Sequence, residues 1–160
     1  MRVTIAAVGR LKDGPDRALF ERYWQRLEAG GRKIALHPLR VLELPESRAA
    51  SAAARKADEA ARLVGAIKDC DFVMALDETG RQVSSRAFAE LVARRRDGGT
   101  RELAFVLGGP DGHGAALLAR ADQVLALGVL TLPHGLARVV LAEQLYRAAT
   151  ILTGHSYHRD

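Results

Sequence analysis

Hydrophobic positions along this 160-residue chain change their period repeatedly, and each change marks a predicted element. Residues 2–8 (RVTIAAV) form an apolar run closed by Gly9, the pattern of a strand. From Pro15 to Ala29, Leu19, Phe20, Tyr23 and Leu27 recur at helical spacing, with Pro15 suited to a first turn. Lys33 to Leu44 alternates through Ile34, Leu36, Leu39 and Val41, and Pro38 within it predicts an edge strand or a bulge. Ser47 to Lys68 is alanine-rich and predicts a helix that exposes Arg55, Lys56, Asp58, Glu59 and Arg62. Residues 72–76 (FVMAL) and 103–107 (LAFVL) are continuous apolar runs of the kind found in strands covered on both faces. Ser84 caps a predicted helix to about Arg96, and His113 to Arg120 forms a short one. Residues 123–127 (QVLAL) add a strand, and Leu136 to Ile151 form a last helix with Leu136, Val140, Leu141 and Leu145 at core spacing.

Strands that alternate with helices predict one α/β domain over residues 1–160, a mostly parallel sheet flanked by helices. Ligands of such sheets bind outside the carboxyl ends of the strands. Three loops therefore attract attention: 77–83, 108–114 and 128–135.

Composition narrows the class. A chain that is 48% hydrophobic and 27% charged is ordinary globular stock. The single cysteine, Cys70, excludes an internal disulfide framework and argues against a cysteine-based metal site. The longest uncharged run, Gln123 to Ala137, is too short and too interrupted to span a bilayer, and no export signal is visible after Arg2. The expectation is a cytoplasmic protein with no membrane and no metal.

Charge adds a direction. The net charge is +5, and all of it lies in residues 1–70, which hold 14 basic and 9 acidic side chains. Arginine supplies 20 of the 24 cations, and its planar fork suits phosphate. Arg17, Arg22 and Arg26 spread over one broad side of the first predicted helix and are candidates for phosphate contact.

Candidate chemistry gathers at the predicted loops. Gly108-Gly109-Pro110-Asp111-Gly112-His113-Gly114 follows a buried strand, and its glycines let a backbone approach a ligand closely. It matches neither GxGxxG nor a P-loop. Leu127-Gly128-Val129-Leu130-Thr131-Leu132-Pro133-His134 leads a strand into a helix through apolar backbone, which suits a flat heterocycle and equally suits a buried connector. His155-Ser156-Tyr157-His158-Arg159 concentrates polar aromatic and cationic groups at the end of a chain with only 5% aromatic residues. These features leave three classes open: an enzyme acting on RNA, a non-catalytic RNA-binding module, and an unknotted nucleotide-binding α/β enzyme.

Taken together, the residues resemble the RlmH family of the SPOUT methyltransferase class. The resemblance runs through Val8-Gly9 with Leu11-Lys12, Tyr23 with Arg26-Leu27, Leu76-Asp77-x-x-Gly80, Ser84-Ser85-x-x-Phe88-Ala89 and Gly108-Gly109-Pro110-x-Gly112. It continues through Leu130-Thr131-Leu132-Pro133-His134, Arg138, Glu143-Gln144-Leu145-Tyr146-Arg147-Ala148 and Tyr157-His158. Gly128 stands where serine is common, and Ser156 replaces the usual proline.

The resemblance implies a C-terminal trefoil knot, S-adenosylmethionine as cofactor, a homodimer, and methylation of N3 of a pseudouridine in large-subunit (23S) ribosomal RNA; a chain of this size, with no separate RNA-binding domain, is expected to act on the assembled ribosome. It assigns the cofactor to Leu76, Gly108, Gly109, Leu127, Gly128, Val129, Leu130, Thr131 and Leu132. It assigns the target ring to Tyr157, His158 and Arg159, with Arg138 and His134 as further candidates.

Overall fold

The computed structural model describes residues 1–159; the expectation for the tail reaches Asp160, which lies outside the described residues. Five strands form one sheet: β1 (Arg2–Val8), β2 (Leu39–Leu44), β3 (Phe72–Gln82), β4 (Glu102–Leu107) and β5 (Gln123–Ala126), in the order β2-β1-β4-β3-β5. Every pairing is parallel. Helices α1 (Pro15–Gly31), α2 (Ala52–Ala66), α3 (Ser85–Asp97) and α4 (Ala115–Arg120) connect successive strands, and α5 (His134–Leu152) follows β5.

Both faces of the sheet are covered, which explains why β1 and β4 read as unbroken apolar runs. Ile5, Phe105 and Met74 face a core built with α1, α3 and α5 (Leu27, Phe88, Leu141, Leu145). Ala6, Val73, Ala104 and Val106 face a smaller core built with α2 and α4 (Ala60, Leu63, Leu117). The α/β architecture with a parallel sheet is thus as the sequence predicts.

Three boundaries differ by five residues or more, and several others by one or two, including α4, which starts after His113 rather than at it. The strand expected over 33–44 starts only at Leu39, because α1 runs on into a 3-10 turn at Arg32–Ile34 and Ala35 adopts a left-handed φ of 56°. Strand β2 is an edge strand, as Pro38 predicts. Helix α2 starts five residues later than Ser47, at Ala52, where the Ser51 hydroxyl accepts from Ala54 N at 3.1 Å. Strand β3 extends beyond 76. It leaves its partner after Leu76, detours through 77–80, and pairs again with β5 at Arg81 and Gln82.

Candidate active site

The carboxyl ends of β4 and β5 release two of the loops singled out above, the third is the detour of β3 after Leu76, and specific contacts bind them together. After Leu76, Asp77 Oδ1 accepts from Thr79 N at 2.9 Å and from its hydroxyl at 2.7 Å, which closes a tight turn. Gly80 then lies on the backbone of Leu125, where a Cβ would come within 2.5 Å of the carbonyl carbon; only glycine fits this crossing. The glycine loop folds on itself, with Gly112 N donating to Gly109 O at 2.9 Å and Gly112 at φ +85°.

His113 joins the first two loops. Its Nε2–H donates to the Leu76 carbonyl at 2.8 Å, and the ring is buried. Burial holds the imidazole below its ordinary pKa against the opposing bond to Leu76, so it is neutral, with an acceptor lone pair on a buried Nδ1 that has no partner. The third loop reaches the first through Thr131, whose hydroxyl donates to Glu78 Oε2 at 3.2 Å. Next to it Val129 and Leu130 project into solvent, 80% and 76% exposed.

Helix α2 supports the glycine loop from below. Arg55 forms a two-pronged pair with Asp111, at 2.7 Å and 3.2 Å. Glu59 is buried, with Oε1 accepting from Ser47 N at 2.8 Å and Oε2 lacking a partner. A Cβ on Gly109 would sit 2.6 Å from that Oε2 and 3.1 Å from Val8 Cγ1. The exposed face expected for α2 therefore includes two residues, Arg55 and Glu59, that are turned toward the glycine loop.

Leu76 and Leu127 line a cavity of about 190 Å³ together with Val83, Phe88, Leu125, Val140, Ser85 and Gln144. That volume is below the ~300–1,000 Å³ of whole-ligand pockets and suits a single apolar-walled heterocycle. Its polar rim leads outward. Ser85 Oγ donates to Gln144 Oε1 at 2.7 Å, Gln144 Nε2 donates to Glu143 Oε2 at 2.6 Å, and the other Glu143 oxygen accepts from Arg147 and from the Tyr157 hydroxyl at 3.0 Å. The tail is thereby laid back along α5. Tyr157 packs 4.7 Å from Tyr146, with the Arg147 guanidinium 4.9 Å over its ring. Burial, then hydrogen bonds with Tyr23 and Glu143, push the Tyr157 phenol well above its ordinary pKa. Arg159 is exposed and His158 half-buried.

The other two candidates stand apart from the tail. Arg138 is 1% exposed and donates to Val8 O at 2.9 Å, Gly9 O at 2.5 Å and Glu43 Oε1 at 2.6 Å. It also meets His134 Nε2. Burial, reinforced by this guanidinium, pushes the His134 imidazole down to about 4. The pair braces the first turns of α5 against the end of β1, whereas Tyr157 lies further along the same helix, against Tyr146 and Arg147. The residues that the sequence left without a role are Ser85, Glu143, Gln144, His113 and Glu59. Glu143 and Gln144 were within the family resemblance, but nothing local to them signals a hydrogen bond to residue 85 or 157.

A family model described as "Predicted SPOUT methyltransferase" matches residues 1–158. The chain belongs to the SPOUT methyltransferase family. It is 53% identical over 160 residues to a protein of Brucella anthropi named ribosomal RNA large subunit methyltransferase H, with the whole of both chains covered. A protein of the same name from Brucella abortus is 51% identical over 169 residues, again with both chains fully covered. Among solved structures, a probable methylase family protein from Haemophilus influenzae superposes with a TM-score of 0.55 at 15% identity, covering 95% of this chain and 66% of that one. At that identity the likeness is one of fold. This SPOUT chain is a methyltransferase with its three loops at the expected ends of a parallel sheet. Among the described residues no helix is long and apolar enough to cross a membrane, and no group of three metal-ligating side chains gathers.

Proposed function

We propose that this protein transfers a methyl group from S-adenosylmethionine to N3 of a pseudouridine in large-subunit (23S) ribosomal RNA, as a homodimer acting in the cytoplasm on the assembled ribosome. The observation that carries the reading is the apolar cavity between Leu76 and Leu127, joined by a hydrogen-bonded chain through Ser85, Gln144 and Glu143 to Tyr157. The names of relatives matched over their whole length supply the substrate class.

The residues present fit such a cofactor. An apolar slot suits an adenine ring, the glycine backbone of 108–109 allows close approach, and a buried His113 acceptor stands beside Gly108. Leu76, Gly108, Gly109 and the segment Leu127–Leu132 would hold it. The sulfonium, when bound, supplies an already activated methyl group.

What remains for the chain is alignment and charge. The target ring must meet the methyl in line, which is a positioning task. Its N3 proton must also leave. The Tyr157 phenol, held protonated and donating to Glu143, is an anchor for the tail rather than a base. Anchoring presents His158 as the proton acceptor and Arg159 as the cation that stabilises negative charge on the ring of either subunit. Arg138 and His134 act at one remove by fixing α5. For the dimer, Leu136 is the exposed apolar residue of α5, whereas Leu141 is wholly buried in the subunit core. Nucleoside mass spectrometry of 23S rRNA from a strain lacking this protein tests the reading: one N3-methylpseudouridine disappears and returns on complementation. An unchanged methylation profile would overturn it.

A further inference from the structure

Part of the charge surplus of residues 1–70 is taken up by ion pairs and ring contacts. On α1, Arg17 is neutralised by Asp13 at 3.3 Å and Glu21 at 2.9 Å, and Arg26 lies 5.8 Å over the Tyr146 ring. Elsewhere in residues 1–70, Arg55 and Arg62 are paired with Asp111 and Asp58. Of the three α1 arginines that are candidates for phosphate contact, Arg22 alone is exposed with neither an ion pair nor a ring contact among the described residues.

Cations collect instead at the amino end of the sheet, and contacts on both halves of the chain hold them together. The last turn of α3 carries Arg94, Arg95 and Arg96, and Arg96 donates to Ile34 O at 3.3 Å, against the 3-10 turn that exposes Arg32 and Lys33. Thr100 N donates to Arg95 O, and Arg101 follows directly, with its side chain 85% exposed. Arg95 lies 3.9 Å over the Phe72 ring, which fixes it without a carboxylate. The carboxylates in reach of these six cations are Asp97, Asp71 and, at 3.9 Å, Glu90. Arg32, Lys33 and Arg95 are left without a carboxylate on one short arc of surface, and Arg32, Lys33 and Arg94, the last held only loosely by Glu90, project from it.

We propose that this arc, formed by the end of α3 and the Arg32–Ile34 turn, is a second RNA-contact surface that takes the phosphate backbone. It rests on the reading that ribosomal RNA is the substrate, and it adds where that RNA is held. Strand β4 separates the arc from the glycine loop by six residues, about 20 Å at ~3.3 Å per residue. Phosphates held there belong to RNA remote from the target nucleotide, so the surface contributes to docking and not to the chemical step. Guanidinium groups on a rigid helix end suit this contact, because phosphate binding without base reading positions a substrate and carries no sequence information.

The test is a triple variant, Arg32→Gln, Lys33→Gln and Arg94→Gln, in the full-length protein, with binding to and methylation of ribosomal particles followed across a salt titration. Each lost phosphate contact removes about 0.7–0.9 from the slope of log affinity against log salt, so the slope should fall by about two to three units. KM for the particle should rise about 10-fold or more near ~0.1 M salt, with kcat and S-adenosylmethionine affinity unchanged. If the wild-type protein neither binds nor methylates the particle, the substrate reading has failed. If the wild type does both and the folded variant keeps the wild-type slope and KM, this inference alone is overturned. A raised KM with an unaltered slope overturns it in favour of a contact with ribosomal protein, and a lowered kcat overturns it by placing the residues at the chemical step.

Discussion

At the amino end of the sheet, Asp71 accepts from the N–H groups of Arg101 and Glu102 at 2.9 Å and 2.8 Å, and from the Arg101 side chain. Glu102 uses one oxygen for Thr4 at 2.6 Å and the other for Arg2 at 2.7 Å, and Asp122 takes the N–H of Val73. At the carboxyl end the buried Glu59 leaves one oxygen without a partner, and His113 leaves an acceptor nitrogen. Gly80, Gly109 and Gly114 there sit where any side chain would collide with backbone or with Glu59. Buried acceptors left unmatched are costly. The carboxylates at the amino end are therefore saturated and Glu59 at the carboxyl end is not, while each end keeps one further unmatched acceptor, Gln123 Oε1 at the amino end and His113 Nδ1 at the other. That contrast places ligand chemistry at the carboxyl end and structural support, with an outer rim of charge, at the amino end.

The largest effect should come from crowding the carboxyl end. Gly109→Val drives a branched side chain into Glu59 Oε2 and Val8, pushing the glycine loop off α2. Titration calorimetry should show S-adenosylmethionine affinity reduced about 100-fold or more, about 3 kcal/mol, in a variant that still melts cooperatively. Retained affinity would break the assignment of this loop.

Removing residues 157–160 comes next. It takes away the Tyr157–Glu143 bond and the groups beyond it, so kcat should fall by about 10²-fold or more while cofactor affinity stays within about twofold. Loss of both together would show that the tail supports the cofactor cavity instead.

Acid should sharpen the contrast further. The His134 imidazole titrates near 4 in the fold and near its ordinary value of about 6.5 when unfolded, so the unfolded chain binds the extra proton between those values. Stability should fall as pH drops from about 6.5 towards 4, by at most about 3 kcal/mol. Denaturant titrations of His134→Gln should lack that limb. The amino end responds lower. Hydrogen bonds from Arg101 and from the Glu102 N–H hold the Asp71 carboxyl below its ordinary range. For Glu102, burial works in the opposite sense, yet the bonds from Thr4 and Arg2 outweigh it. Both contributions are present above the ordinary carboxylate range and are lost only as pH falls below it. The smallest effect belongs to Arg101→Gln, an exposed partner of Asp71 whose replacement should scarcely move the melting temperature.

How much of this the sequence displays depends on distance along the chain. Strands β1 and β4 are legible because both faces are buried and their apolar runs are unbroken. The glycine loop is legible because the need for close approach is written in the residues themselves. The return of β3 at Arg81–Gln82 is hidden, since pairing with Leu125 and Ala126 lies more than forty residues away and residues 77–82 are polar. Glu59 reads as a solvated charge in an alanine-rich helix, and only the fold puts it under Gly109. Arg138 shows the same limit, as a cation beside glycine-rich loops whose carbonyl partners, Val8 and Gly9, come from the other end of the chain. Counting charge by halves of the chain misleads for the same reason, because ion pairs form in space.

Hydrogen exchange of backbone amides, with and without S-adenosylmethionine, tests the division between the two ends most directly. The account predicts cofactor-dependent protection in 76–82, 108–114 and 127–133, with the amides of Arg2, Asp71 and Arg101 unchanged. Protection centred on those amino-end residues, or none anywhere at saturating cofactor, would contradict it.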